Sequence, residues 1–228
     1  MNFGTKKKLI KHLQQFVTSR RLETINRVLD KRTRYLSVVL EDLYQPHNAS
    51  AVLRSCDGFG IQDMHIIENE NRFRPAKGVT IGSDQWITQH KYNIEGKNNT
   101  ERCYQRLRDK GYRIIATTPH EEDVTIDELP LEQKTALVFG SELTGLTDYA
   151  MDCADGYARI AMKGFSESFN ISVSAALCLY ELSTRMRRQQ NKWSLNETEK
   201  TDLRLEWLRT SIREVGMIER RFLSEQSG

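Results

Sequence analysis

The apolar positions of this chain change period several times, and each change marks an element. Across residues 5–31, Leu9, Leu13, Phe16 and Val17, then Leu22, Ile25, Val28 and Leu29, recur at helical intervals. That spacing predicts helix, with basic residues on the opposite face. Leu36 to Leu40 (LSVVL) is a short continuous apolar run of strand type. Pro46-His47-Asn48 breaks it, and Ala49, Val52, Leu53 and Cys56 return to helical spacing, with Asn48 or Ser50 as the expected cap. Further strands are predicted over residues 64–67, 112–117, 135–139 and 157–162. Between them lie a helix from Thr100 to a stop at Gly111 and a helical piece over 149–154. A long helix over 171–190 carries Val173, Leu177 and Tyr180 on one face, and a last charged helix starts near Asn196 or Thr198. Strands alternating with helices imply an α/β fold, a mainly parallel sheet with helices on both faces.

Composition narrows the class. With 228 residues, 38% of them hydrophobic, the chain suits one medium domain with appendages. We divide it into a basic helical arm over 1–34, a central domain over 35–190 and a helical extension over 191–228. Cys56, Cys103, Cys153 and Cys178 form no C-x-x-C pair, which points to reduced thiols and no metal site. The opening MNFGTKKKLI has no apolar h-region, and no apolar stretch nears the roughly 20 residues of a membrane span. A cytoplasmic protein without a membrane partner is therefore expected. The net charge of +3 is unevenly spread: residues 1–34 hold ten Lys/Arg against two Asp/Glu, whereas residues 35–181 hold fourteen against twenty-two. A neutral-to-acidic middle with basic ends suggests a catalytic core flanked by polyanion-binding arms, with solvated surface helices as the plain alternative.

Three stretches carry candidate chemistry. In Pro46-His47-Asn48-Ala49-Ser50-Ala51-Val52-Leu53-Arg54, Asn48 and Arg54 lie across the start of a helix that follows a strand. Ligands of parallel sheets sit at that end of a strand, where helix N–H groups and a guanidinium fork suit phosphate. In Phe139-Gly140-Ser141-Glu142-Leu143-Thr144-Gly145-Leu146, a glycine directly after a strand permits close approach, and Glu142 offers a carboxylate. Neither G-x-G-x-x-G nor a Walker pattern occurs, which argues against dinucleotide and nucleotide-triphosphate sites. In residues 160–176, a strand enters a Gly/Ser loop and then a helix whose start is small and polar, with Ser168 and Asn170 near its N-terminus. Each stretch alone reads as an ordinary cap or turn.

In their order and separation the three resemble the signature motifs of the SpoU/TrmH branch of the SPOUT methyltransferases. These are N-x5-R, G-x-E-x-x-G and a long S-x-N-hydrophobic-S segment. The resemblance covers roughly residues 35–181. The short basic N-terminal helix, the C-terminal helix and Asn71 to Trp86, with Arg72, Arg74, Gly82 and Ser83, are similar to the tRNA guanosine-2′-O-methylating members. It implies a trefoil-knotted parallel α/β domain and S-adenosyl-L-methionine as cofactor, lined by Thr117, Gly140, Ile160, Met162 and Phe169. It also implies a homodimer in which each site is completed by Arg54 of the second copy, with helix 171–190 as the dimer surface. The implied reaction is methylation of a ribose 2′-oxygen of tRNA, with guanosine 18 of the D-loop as the target and no role for DNA. Arg54 would be the base, or would anchor phosphate and stabilise the alkoxide, since a guanidinium has a pKa above about 12. Asn48, Glu142, Ser168 and Asn170 would position Arg54, cofactor and ribose.

The expected tRNA-binding cations are Lys6, Lys7, Lys8, Lys11, Arg20, Arg21, Lys31, Arg32, Arg34, Arg72, Arg74, Arg185, Arg187 and Arg188, with Lys77 beside them. Two positions depart from the family pattern: Ala161 stands where Pro is usual, and Phe169 where Leu is usual. Two other functions compete: the same chemistry on ribosomal RNA, and a non-catalytic RNA-binding factor. About 34 residues before the first strand are too few for a separate RNA-binding domain, which favours tRNA. The intact Asn48, Arg54, Glu142, Ser168 and Asn170 favour catalysis.

Overall fold

The computed structural model describes residues 1–119, 123–141, 144–189 and 192–225. They form two compact units: one from Thr33 to Trp193, the other joining Met1–Arg32 to the chain from Ser194 onward. The strands are β1 (Leu36–Glu41), β2 (Asp63–Ile67), β3 (Thr88–Tyr92), β4 (Arg113–Thr117), β5 (Val124–Thr125), β6 (Thr135–Phe139) and β7 (Gly156–Arg159). The helices are α1 (Phe3–Leu13), α2 (Ser19–Leu29), α3 (Pro46–Phe59), α4 (Lys77–Thr80), α5 (Asn99–Asp109), α6 (Asp148–Asp152), α7 (Ile171–Arg188), α8 (Glu197–Ser211) and α9 (Val215–Glu225).

All strand pairs of the larger unit are parallel, in the order β3-β2-β1-β6-β4-β7-β5. The chain lays β1, β2 and β3 outward in one direction. It then starts β4 on the other side of β1 and later inserts β6 between β1 and β4. Such a reversal opens a crevice at the carboxyl ends of the strands beside it. The central strands are buried on both faces, which explains their continuous apolar runs. Val38, Leu40, Leu137 and Phe139 face a core closed by α3 and α7. Val39, Val138, Ala136 and Ile114 face a second core, closed by Cys103, Tyr104 and Leu107 of α5 and Ala150 of α6. Each fully buried Val or Leu here contributes about 1.5–3 kcal/mol relative to exposure.

The smaller unit packs α1, α2, α8 and α9 around Leu9, Leu13, Leu29, Leu203, Trp207 and Leu208. Lys6–Asp202 (2.5 Å) and Lys200–Asp30 (2.8 Å) tie α8 to the N-terminal helices. Among the described residues, no helix is long and apolar enough to cross a membrane.

Several boundaries differ from the periodicity. The helix expected over 5–31 is two helices, because Gln14–Phe16 tightens into a 3₁₀ turn and Thr18 accepts from the Arg21 N–H to start α2. Phe16, at that break, is exposed rather than core. α3 begins at Pro46 itself, a residue suited to a first helical turn. Neither Asn48 nor Ser50 is therefore a cap; the Ser50 hydroxyl instead donates to the Pro46 carbonyl. α5 begins at Asn99, one residue before the expected Thr100, with Asn98 as its cap. The strand expected over 157–162 ends at Arg159, and the long helix ends at Arg188, Gln190 lying outside the described residues. β3 had no signal: Thr88, Gln89, His90 and Lys91 form a polar edge strand without alternation.

Candidate active site

The fold brings the three motif stretches to one end of the sheet. The first follows β1, the second follows β6, the third follows β7, and Thr117 ends β4; these four strands are neighbours. Asn48 lies in the first turn of α3 and is only 8% exposed. Asn170 caps α7, its Oδ1 accepting from the Ser172 N–H at 2.9 Å and the Ser172 hydroxyl at 2.6 Å. Its Nδ2 donates to Asn48 Oδ1 at 3.3 Å, and Asn48 Nδ2 donates to Gln45 Oε1 at 3.3 Å. One hydrogen bond thus joins the first and third motifs across 122 residues of sequence. α3 and α7 pack along each other behind it.

The second motif closes on itself. Ser141 and Gly145 exchange main-chain hydrogen bonds of 2.9 and 3.0 Å, and the Ser141 and Thr144 hydroxyls meet at 2.7 Å. The two glycines serve different purposes. Gly145 has φ +70°, a conformation that side chains disfavour, with open space around it. Gly140 is needed for space: a Cβ there would lie 2.2–2.3 Å from the main chain of Gly145 and Leu146. Glu142 lies outside the described residues. The loop returns at Thr147, whose N–H and hydroxyl donate to Glu41 at 2.9 and 3.0 Å. Glu41, 1% exposed, also accepts from the Thr100 hydroxyl at 2.5 Å. Sequence reasoning passed over Glu41. Its signal was a carboxyl side chain closing a strand that is apolar but for Ser37, where burial demands partners.

Of the remaining expected pocket residues, Thr117 closes β4 and the others lie in the stretch that follows β7. The Thr117 hydroxyl donates to the Val138 carbonyl at 2.8 Å, joining the ends of β4 and β6. Ile160 packs on the main core, Met162 is half-buried, and Phe169 is 40% exposed. Ser168 is exposed, and Phe165, which sequence reasoning did not single out, projects fully into solvent. The main-chain N–H groups of residues 161–170 donate no hydrogen bond among the described residues. Arg54 is not gathered with Asn48 and Asn170. It is exposed and makes no hydrogen bond or ion pair among the described residues.

The basic residues divide. Lys7, Lys8, Lys11, Arg20, Arg21, Lys31, Arg72, Arg74 and Arg188 are exposed, and the Lys7 ammonium lies 4.6 Å from the Phe3 ring. Others are engaged internally. Lys6 pairs with Asp202, and Arg32 is 1% exposed with its guanidinium 5.3 Å from the Trp207 ring. Arg185 donates to the carbonyls of Ile126, Asp127 and Leu129. Arg187 donates to those of Ser183 and Phe59 and stacks on Trp193. Arg34 pairs with Asp63 at 2.9 Å, in a polar chain that continues through His90, His65 and Tyr92. Burial and the neighbouring His90 push the His65 pKa down to about 3, against the pull of Asp63. Among the described residues no group of acidic, histidine and cysteine side chains is arranged to hold a metal.

Residues 35–180, more than half of the chain, match the SpoU rRNA Methylase family. The chain belongs to that family. A tRNA (guanosine(18)-2′-O)-methyltransferase of Borreliella burgdorferi is 39% identical over 91% of this chain and 93% of that protein. An enzyme of the same name from Thermus thermophilus is 30% identical over 84% of this chain and 97% of its own. The crystal structure of the TrmH/SpoU tRNA modifying enzyme of A. aeolicus superposes with a TM-score of 0.75 at 28% identity, covering 86% of this chain and 98% of that one. These likenesses extend beyond the family segment into the chain termini, which distinguishes them from a match to the methylase domain alone.

Proposed function

We propose that this protein transfers a methyl group from S-adenosylmethionine to the ribose 2′-hydroxyl of guanosine 18 in tRNA. The observation that carries this reading is the convergence of all three motif stretches on adjacent strand ends, clasped by the Asn170–Asn48 hydrogen bond. Relatives that match nearly full length share the named activity.

The residues present fit the cofactor. Ile160, Met162 and Phe169 offer apolar surface for a purine, and the open N–H groups of residues 161–170 suit its polar atoms. Gly140, Thr117 and the closed loop beyond Ser141 would form the opposite wall. When bound, S-adenosylmethionine supplies an electrophilic methyl on a sulfonium sulfur. The protein must then orient the ribose, let the 2′-hydroxyl proton leave to water as the 2′-oxygen takes the methyl from sulfur, and stabilise the charge that grows on that oxygen. Arg54 serves this role electrostatically: its planar fork grips a phosphate and faces the developing alkoxide, and a guanidinium keeps its proton at neutral pH. Asn48 and Asn170 hold each other and the start of α7 in place, and Ser168 and Glu142 complete the ribose side.

Arg54 reaches this chemistry in a homodimer. The α7 face bearing Val173, Leu177 and Tyr180 is 43%, 40% and 59% exposed, while Ala175, Cys178, Leu179 and Leu182 fill the core on the other side. A helix apolar on both sides has a second partner, and a second copy would cover this one and supply Arg54. The exposed cations of the arm and Arg72 and Arg74 track tRNA phosphates, with Arg32, Arg34, Arg185 and Arg187 left to structural work. The test is incubation with labelled cofactor and unmodified tRNA or ribosomal RNA. Label on tRNA as 2′-O-methylguanosine is expected; label on ribosomal RNA alone would replace this reading with its nearest rival.

A further inference from the structure

Glu41 is the last residue of β1, the strand beside the switch point of the sheet. Nothing in the proposed reaction requires a carboxyl group there, yet it is almost completely buried. A buried carboxyl group is costly unless its oxygens are satisfied. Here both are: Oε2 accepts from the Thr147 N–H, and Oε1 accepts from the Thr147 and Thr100 hydroxyls. Thr147 is the point where the second-motif loop rejoins regular structure and also the cap of α6. Among the described residues of that loop, Ser141 and Gly145 bond to each other, Gly140 approaches the main chain of Gly145 and Leu146, and Leu146 packs against the core closed by α5 and α6.

We propose that Glu41 is a positioning residue for the cofactor: by gripping Thr147 it fixes the return arm of the second-motif loop in its binding-competent shape. This inference rests on the cofactor reading above. Glu41 touches neither cofactor nor ribose, and acts through Thr147. Thr100 shares the same carboxyl group but belongs to α5, outside the motif loops. Loss of the Thr100 bond therefore weakens the fold without releasing the loop, which separates positioning from general stability.

The test compares Thr147→Val, Thr100→Val, Glu41→Ala and Glu41→Gln in the full chain. Affinity for S-adenosylhomocysteine is measured by calorimetry, with tRNA affinity and the thermal midpoint alongside. Thr147→Val and Glu41→Ala are expected to lower S-adenosylhomocysteine affinity at least about tenfold and leave tRNA affinity within about twofold. Thr100→Val should lower the thermal midpoint and leave cofactor affinity unchanged. Glu41→Gln should recover most of the affinity, because an amide can accept from the Thr147 N–H and donate to a threonine hydroxyl. Should Glu41→Ala fail to fold, the two threonine variants still decide the matter. Unchanged affinity in Thr147→Val, or an equal loss in Thr100→Val, overturns the inference. Failure of the unaltered protein to bind S-adenosylhomocysteine would instead remove the cofactor reading and the inference with it.

Discussion

Replacing Gly140 with Ala should weaken cofactor binding through a displacement the structure lets one size. The added Cβ would lie 2.2 Å from the Gly145 carbonyl carbon, 2.3 Å from its oxygen and 2.3 Å from the Leu146 nitrogen, whereas ordinary contact begins at 3.4 Å. All three are main-chain atoms, so no side-chain rotation relieves the clash, and the loop must retreat by about 1 Å. The Ser141–Gly145 bonds of 2.9 and 3.0 Å would stretch to roughly 4 Å, outside hydrogen-bonding range. Losing two such bonds costs about 2 kcal/mol, and residual overpacking about 1–3 more. For a chain of this size the thermal midpoint should fall by roughly 6–20 °C. If cofactor binding must restore even about 2 kcal/mol of that geometry, affinity for S-adenosylhomocysteine drops by roughly 30-fold. Gly145→Ala is the internal comparison. It meets nothing within 4 Å but holds φ +70°, so it should cost only about 1–2 kcal/mol. Calorimetric titration and thermal melts on both variants decide it. Wild-type affinity and midpoint in Gly140→Ala would refute the reasoning about the loop.

Arg54→Ala and Arg54→Lys should both lose methyl transfer with unchanged thermal midpoints, because a point charge does not copy a planar fork; near-normal turnover by either would remove Arg54 from the chemistry. Asn170→Ala should lose turnover and also about 1 kcal/mol of stability from the α7 cap, and an unaltered urea midpoint would contradict the cap. Replacing Lys7, Lys8 and Lys11 together by Ala should weaken tRNA binding and flatten its salt dependence by roughly 0.7–0.9 in log–log slope per lost contact; superimposable salt titrations would make the arm ordinary surface. With its folded pKa near 3 against 6.5 unfolded, His65 takes up its proton mainly in the unfolded chain between about pH 6.5 and pH 3. Stability should therefore drop on acidification by up to roughly 1.4 kcal/mol per pH unit, a slope that denaturant midpoints should find reduced in His65→Gln.

How much of this was legible in the sequence depended on where each signal lay. The central strands announced themselves because burial on both faces forces continuous apolar runs, as in LSVVL and TALVF. β3 stayed hidden because an edge strand needs no apolar alternation. Asn48 and Asn170 were legible as motif residues, but their mutual hydrogen bond was not, since it spans the whole sheet topology. The basic residues show the limit most clearly. Charge alone put Arg185 and Arg187 with the exposed lysines, whereas carbonyls of other segments claim both. Glu41 is the opposite case, a residue without a motif whose importance is visible only once Thr100 and Thr147 arrive from distant parts of the chain.

The most direct test of the central claim is to map ribose methylation in cells lacking this protein, by resistance of each tRNA phosphodiester to alkaline cleavage. The expected result is loss of the 2′-O-methyl mark at guanosine 18, with its return on expression of the unaltered chain and not of Arg54→Ala. A retained mark at guanosine 18, with a mark missing from ribosomal RNA instead, would contradict it.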